Sequence, residues 1–143
     1  MNNQNFDFET TFKLAIENHK KNNFKEASNH YEKILDANPE NFDANFYFGT
    51  LNLQTENFIK ASKLLKKAVE IKPGIAEAHN NLGIAYDYME EVDKAKICFN
   101  KSIEINPNYV EPYLNLGKLY TKSDEIEKSE KFYNFMVFKL FFS

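Results

Sequence analysis

A period of 34 residues runs through most of this chain of 143. Prolines stand at Pro39, Pro73 and Pro107, each 34 residues after the one before. Two sets of small residues keep the same spacing: Ala27, Ala61 and Ala95, and Gly49, Gly83 and Gly117. A fixed period of this length is typical of stacked supersecondary units, which bury their apolar faces against their neighbours. The chain is therefore expected to be a repeat protein.

Each period contains two helical patterns, seen most clearly in residues 76–109. Small and apolar residues recur there at helical spacing. The first set is Ala78, Leu82, Ala85 and Tyr86, and the second is Val92, Ala95, Phe99 and Ile103. The polar pair Glu90-Glu91 separates the sets, and Asn106-Pro107 ends the second, because a residue before proline is pushed out of the helical region. Equivalent polar breaks fall at Asn22-Asn23, Glu56-Asn57 and Asp124-Glu125.

Small residues at fixed phases predict that the two helices of each unit approach closely. Glycine inside a helix costs about 0.5–1 kcal/mol relative to alanine, so three glycines at one phase need a packing reason. One phase holds Ala15, Gly49, Gly83 and Gly117, and another holds Ala27, Ala61, Ala95 and Ser129. Larger side chains are expected to fill the space around them: Leu14, Phe48, Leu82 and Leu116, and Tyr31, Leu65, Phe99 and Tyr133.

Composition restricts the partners and the compartment. The net charge of −3, with lysine as the only basic residue besides histidine, gives no attraction to nucleic acid or anionic lipid. The single cysteine, Cys98, cannot form an internal disulfide. The polar N-terminus does not resemble a signal peptide, and no apolar run approaches the roughly 20 residues of a membrane span. A cytoplasmic protein is expected.

The phased residues resemble the tetratricopeptide repeat over residues 8 to about 133. Residues 76–109 carry the most matches: Asn81, Leu82, Gly83, Tyr86, Ala95, Phe99 and Pro107. The preceding unit supplies Gly49, Ala61, Leu65, Ala68 and Pro73. Asn18 and Ile34 depart from the family pattern in the first unit, and the fourth drifts after Tyr120.

The resemblance implies an all-α solenoid, a right-handed superhelix of antiparallel helix pairs. Its four repeats would be residues 8–41, 42–75, 76–109 and 110–143, after a leader of residues 1–7. In this family the first helices line a concave groove. The expected function is a non-catalytic scaffold for protein–protein interaction that binds a peptide or a partner helix in this groove.

Groove phases of the first helices supply the predicted contact residues. They are Phe46, Tyr47, Asn80, Asn81, Ile84, Asp87, Tyr88, Leu114, Asn115 and Lys118. The amides of Asn81 and Asn115 can donate to and accept from a peptide backbone. They also resemble the asparagine ladder of protein O-linked N-acetylglucosaminyl transferases, although Lys13 and Tyr47 interrupt such a ladder.

Charge at the groove phases bears on the type of partner. An acid opens each first helix, at Glu9, Asp43, Glu77 and Glu111. These acids either stabilise helix N-termini or form a row that selects a basic peptide. The carboxylate clamp of chaperone-binding relatives needs cations at phases that hold Phe12, Ile16, Tyr47, Glu77 and Asn81 in this chain, so a clamp is not expected.

No catalytic, metal or cofactor site is predicted. His19, His30 and His79 lack the i, i+4 spacing of a helical metal site. Cys98 is expected to be a buried or partly buried packing residue rather than a nucleophile. Three glycines belong to the close-packing set and Gly74 follows Pro73 in a turn, so none remains for a phosphate loop.

The end of the chain departs from the pattern. Residues 132–142 are mostly apolar, whereas a solenoid normally ends in a cap with a polar outer face. This segment could shelter against the stack, mediate self-association, or be covered by a further segment of a longer protein. A second function also stays open: the chain could be the repeat arm of a transferase, either of the O-linked N-acetylglucosaminyl type or a sulfotransferase, whose catalytic domain lies elsewhere.

Overall fold

The computed structural model describes residues 7–142, and these form eight α-helices and no strands. The helices fall into two compact units, one ending at Ile71 and the other beginning at Lys72. Unit 1 contains α1 (Phe8–Lys20), α2 (Phe24–Ala37), α3 (Phe42–Gln54) and α4 (Phe58–Ile71). Unit 2 contains α5 (Ala76–Tyr88), α6 (Val92–Ile105), α7 (Glu111–Lys122) and α8 (Ile126–Phe142).

The helices pair as hairpins, and each hairpin turns at one of the predicted polar breaks. Four residues there adopt a left-handed backbone: Asn22, Glu56, Glu90 and Asp124, with φ near 60°. The amide of the next residue bonds back to a carbonyl inside the first helix, as in Glu91 N to Tyr86 O at 2.9 Å. The amide of Glu90 bonds to Asp87 O at 3.0 Å. This pair of bonds is a Schellman motif, which satisfies the last carbonyls of the first helix.

The structure confirms the predicted close approach of the two helices in each hairpin. A Cβ built on Gly83 would lie 2.6 Å from Cε1 of Phe99, and one built on Gly117 would lie 2.9 Å from the Tyr133 ring. The same construction at Gly49 meets Leu65 at 2.6 Å. Side chains of the second helix therefore lie directly on the backbone of the first, and any Cβ there would displace them.

Each unit has its own apolar core around these approaches. In unit 1 the fully or almost fully buried members are Ala15, Ala27, Tyr31, Phe48 and Leu51. In unit 2 they are Ala95, Phe99, Leu116 and Leu119. The small residues sit where two helices meet, and the large ones fill the space beside them, as the sequence predicted.

Leu14 is a correction to that prediction. It was expected to fill space beside Ala15, but 39% of the side chain is exposed. Its counterparts in the pattern, Phe48 and Leu116, are buried. Helix α1 packs only on α2 and α3 among the described helices, so no helix covers the side that carries Leu14.

Gly83→Leu should lower the free energy of unfolding by about 1–3 kcal/mol, because the added side chain must displace the Phe99 ring. Urea unfolding followed by circular dichroism measures this change. Gly74→Leu is the matched control, since a Cβ at Gly74 meets nothing within 4 Å. Equal losses in the two variants would contradict the close-approach assignment.

Candidate functional site

The first helices of the hairpins contact one another within each unit. In unit 1, α1 contacts α3, and in unit 2, α5 contacts α7. We call the exposed side of α1 and α3 the unit 1 face, and that of α5 and α7 the unit 2 face. The hydrogen-bonded side-chain pairs that cross each face are 35 residues apart, at His19–Gln54, Asn80–Asn115 and Asp87–Lys122. Equivalent residues of neighbouring repeats are 34 apart, so each side chain pairs with the residue one position after its equivalent in the other first helix of the unit.

An amide pair crosses the unit 2 face. Nδ2 of Asn115 donates to Oδ1 of Asn80 at 3.1 Å, and Nδ2 of Asn80 donates to the Tyr109 hydroxyl at 3.4 Å. Asn80 is only 2% exposed, so these bonds offset the cost of burying its amide. Burial raises the pKa of Tyr109 to about 12, with a further contribution from the charges of Glu111 and Glu77. Tyr109 therefore stays protonated at neutral pH.

An ion pair also crosses this face. Nζ of Lys122 lies 2.9 Å from Oδ1 of Asp87. The lysine side chain is largely exposed, so the pair adds little stability, as is usual for surface ion pairs. Its effect is to hold Asp87, a predicted contact residue, toward α7.

The unit 1 face has an aromatic and a histidine pair at the equivalent positions. The Tyr47 and Phe12 rings meet edge to face with centroids 5.8 Å apart. Nε2 of His19 lies 2.8 Å from Oε1 of Gln54, and Nδ1 lies 3.3 Å from the Tyr31 hydroxyl. The Gln54 oxygen can only accept, so Nε2 donates, and in neutral imidazole Nδ1 then accepts from Tyr31. Burial raises the pKa of Tyr31, which keeps that donor protonated.

A cleft of about 300 Å³ opens on the unit 1 face. Its lining is mixed: apolar Ile16, aromatic Tyr47 and polar or basic side chains from the ends of both helices. The full set is Ile16, His19, Lys20, Asn22, Tyr47 and Gln54. Neither His19 nor Gln54 is among the contact residues predicted from the sequence, and the 35-residue offset is the signal that pairs them.

The predicted contact residues differ in exposure. Tyr47 and Tyr88 are exposed, at 37% and 64%, and Lys118 is exposed as well. Five are partly exposed: Asn81, Ile84, Asp87, Leu114 and Asn115. Phe46 and Asn80 are buried, at 6% and 2%.

The two buried residues, Phe46 and Asn80, have different surroundings. The Phe46 ring stacks on Phe42 with centroids 5.7 Å apart and meets Tyr47 edge to face at 5.1 Å. Asn80 bonds to α7 as described above. The fifth residue of the repeat, Phe46 or Asn80, is therefore buried, whereas the sixth, Tyr47 or Asn81, is more exposed to solvent.

Other titratable groups form no reactive cluster in residues 7–142. No group of three or more His, Cys, Asp or Glu side chains there could hold a metal ion. Cys98 is buried on α6, and burial raises the pKa of its thiol to about 11, which suppresses the reactive thiolate. Across the same residues, no helix combines the length and apolarity that crossing a membrane requires.

Comparison with models of protein families shows which family the chain belongs to. Models of the tetratricopeptide repeat match residues 19–82, 76–109 and 98–131, which together span most of the sequence. The chain belongs to the tetratricopeptide repeat family. Members of this family generally bind protein partners, and membership supports a protein-interaction role for this chain. No curated protein sequence matches it.

Solved structures share the fold. A double mutant of MamA RS-1 superposes with a TM-score of 0.91 at 21% identity, covering 95% of this chain and 76% of that one. MamA from Desulfovibrio magneticus RS-1 gives 0.88 at 22% identity, covering 92% and 74%. An O-GlcNAc transferase mutant from Thermobaculum terrenum gives 0.72 at 23% identity, covering 79% of this chain but 22% of that one. The predicted fold class, an all-α solenoid of helix pairs, is thereby confirmed.

Asn115→Ala should lower the free energy of unfolding by about 1–3 kcal/mol, because it leaves the buried Asn80 oxygen without its donor. Asn100→Ala is the matched control: it removes an exposed asparagine on α6 that bonds only to its own helix, at Lys96 O. That change should stay within about 0.5 kcal/mol. Equal stabilities of the two variants in urea unfolding would show that the amide pair contributes nothing.

Proposed function

We propose that this chain is a non-catalytic, cytoplasmic scaffold that binds a peptide or a partner helix along its first-helix faces. Each hairpin is taken as one repeat, at residues 8–41, 42–75, 76–109 and 110–143. The match of one family model to residues 76–109 supports the third of these. In this proposal, the partner binds each unit on the face defined above, where the concave groove is expected.

The observation that carries this proposal is the mixture of side chains on the unit 2 face. Asn81 and Asn115 contribute amides to this face, Ile84 and Leu114 contribute apolar side chains, and all four are partly exposed. A surface with both kinds of group can bind a peptide in two ways. Amides can satisfy the donors and acceptors of a peptide backbone, and apolar surface can accommodate its side chains.

The unit 1 face supplies a complementary kind of contact. Tyr47 is exposed beside Phe12 and borders the cleft that holds His19 and Gln54. Tyrosine is enriched among residues that dominate binding energy, because it gives a large contact area and a hydroxyl at a low entropic cost. We therefore assign Tyr47 as an anchor for an apolar partner side chain.

The test uses a peptide selected from a random display library against the full chain. Tyr47→Ala and Asn81→Ala should each weaken its Kd by roughly 5–30-fold, which corresponds to about 1–2 kcal/mol. Isothermal titration calorimetry measures the affinity, and far-UV circular dichroism checks that helicity is unchanged.

Ile97→Ala and Asn100→Ala are the controls, because both change exposed side chains on the second helix α6. The proposal fails if no peptide can be selected, if affinity survives both face variants, or if the controls weaken binding equally.

A second candidate is the repeat arm of a larger transferase of the O-linked N-acetylglucosaminyl type. The specific support is the structural likeness to the Thermobaculum terrenum enzyme, of which this chain covers 22%. Asn81 and Asn115 fit an asparagine ladder, while Lys13 and Tyr47 interrupt it. A reading frame that continues past Ser143 into catalytic sequence in the source DNA would favour this candidate, and a stop codon there would remove it.

A further inference from the structure

Helix α8 is longer than the helices that correspond to it. It has 17 residues, whereas α2, α4 and α6 have 14 each. Its hairpin partner α7 has 12. At 1.5 Å per residue, α8 is about 25 Å long and α7 about 18 Å, so the last turn or more of α8 extends past the start of α7. Residues 138–142 form this extension and have little to pack against.

One side of α8 carries a line of aromatic rings. Phe135 stacks on Tyr113 of α7 with centroids 4.5 Å apart, and Phe138 stacks on Phe142 at 5.7 Å. Positions 135, 138 and 142 share a helix face, since they are three and four residues apart. We call Tyr113, Phe135, Phe138 and Phe142 the aromatic stripe.

An apolar recess lies at the inner end of the stripe. It measures about 330 Å³ and is lined by Tyr113, Phe132, Phe135 and the Lys131 stem. The outer end, at Phe142, projects instead. The same helix thus presents a hollow at one end and a protruding ring at the other, two turns apart.

The exposed area is sufficient for a dimer. Phe135, Phe138 and Phe142 are 37%, 57% and 75% exposed, and Phe141, which borders the stripe three residues after Phe138, is 75% exposed. With roughly 200 Å² for a whole aromatic side chain, these four leave about 500 Å² in water per copy. Two copies would bury about 1,000 Å² from these rings alone, which reaches the lower bound for a specific interface.

We propose that this surface is covered by a second copy of the chain, with the two α8 helices antiparallel about a two-fold axis near Phe138. A two-fold interface must be complementary to itself. Antiparallel pairing about a point between residues 138 and 139 brings Phe142 of each copy to Phe135 of the other, so the projecting ring enters the recess. The opposed helix dipoles add a favourable term. This dimer does not rest on the proposed peptide binding.

Charge favours a protein occupant over a lipid surface. Two lysines border the patch: Lys131, which lines the recess and follows Glu130, and Lys139, whose Nζ is bonded to Oδ1 of Asn108 at 2.7 Å. Binding to anionic lipid takes a cluster of basic residues beside the apolar ones, and this patch has no such cluster.

The test is sedimentation equilibrium of the full chain across a wide concentration range. The wild type should move from the 16.8 kDa monomer to twice that mass as concentration rises. Phe138→Glu should raise the dimer Kd at least tenfold, because it places two carboxylates together at the axis. Ile97→Glu is the matched control, since Ile97 is at least as exposed as Phe138 but lies on α6, and it should leave the Kd unchanged.

Cysteine cross-linking provides a measurement that does not depend on the stability of Phe138→Glu. Phe138→Cys should form an intermolecular disulfide under mild oxidation, and Ile97→Cys should not. The proposal is overturned if the wild type stays monomeric, if dimer formation ignores Phe138→Glu, or if the two cysteine variants cross-link equally. Binding of the monomer to phosphatidylcholine vesicles without self-association would also overturn it and assign the patch to lipid.

Discussion

The close approach of two helices within each hairpin is the contact on which the rest of this structure depends. At Gly83 the space for even one methyl group is already occupied by the Phe99 ring. A glycine at that position costs helix stability, so the packing that it permits must return more than about 1 kcal/mol. Repetition of this arrangement at Gly49 and Gly117 makes the hairpin the structural unit.

This packing also determines which side chains are left for binding. Within each unit, the small-residue face of the first helix packs against its hairpin partner, and another face contacts the other first helix of that unit, in a register of 35 residues. Pairs such as Asn80–Asn115 and His19–Gln54 then join neighbouring helices, and the residues beside them reach solvent. Unit 1 presents aromatic and imidazole groups, whereas unit 2 presents amides and an ion pair.

Much of the fold could be predicted because its determinants are local or strictly periodic. The polar breaks located the left-handed turns at Asn22 and Glu90, and the glycine phase located the close contacts. The lateral register between neighbouring first helices was harder to predict, because a 34-residue period gives the phase along each helix but not the offset between two of them. For that reason the burial of Asn80 was missed. The exposure of Leu14 was not predicted, because the repeat pattern treats this position alike in every unit. Its burial in fact requires a further helix packed against α1, and the described helices provide none there.

The most direct test of the central contact is a double-mutant cycle between positions 83 and 99, measured by urea unfolding. Alanine is a better helix former than glycine by about 1 kcal/mol, so Gly83→Ala would stabilise an unobstructed helix. The account predicts that Gly83→Ala destabilises the wild type, in which the Phe99 ring obstructs the new methyl group, and becomes neutral or stabilising once Phe99→Val has removed that ring. The same effect of Gly83→Ala in both backgrounds would contradict it.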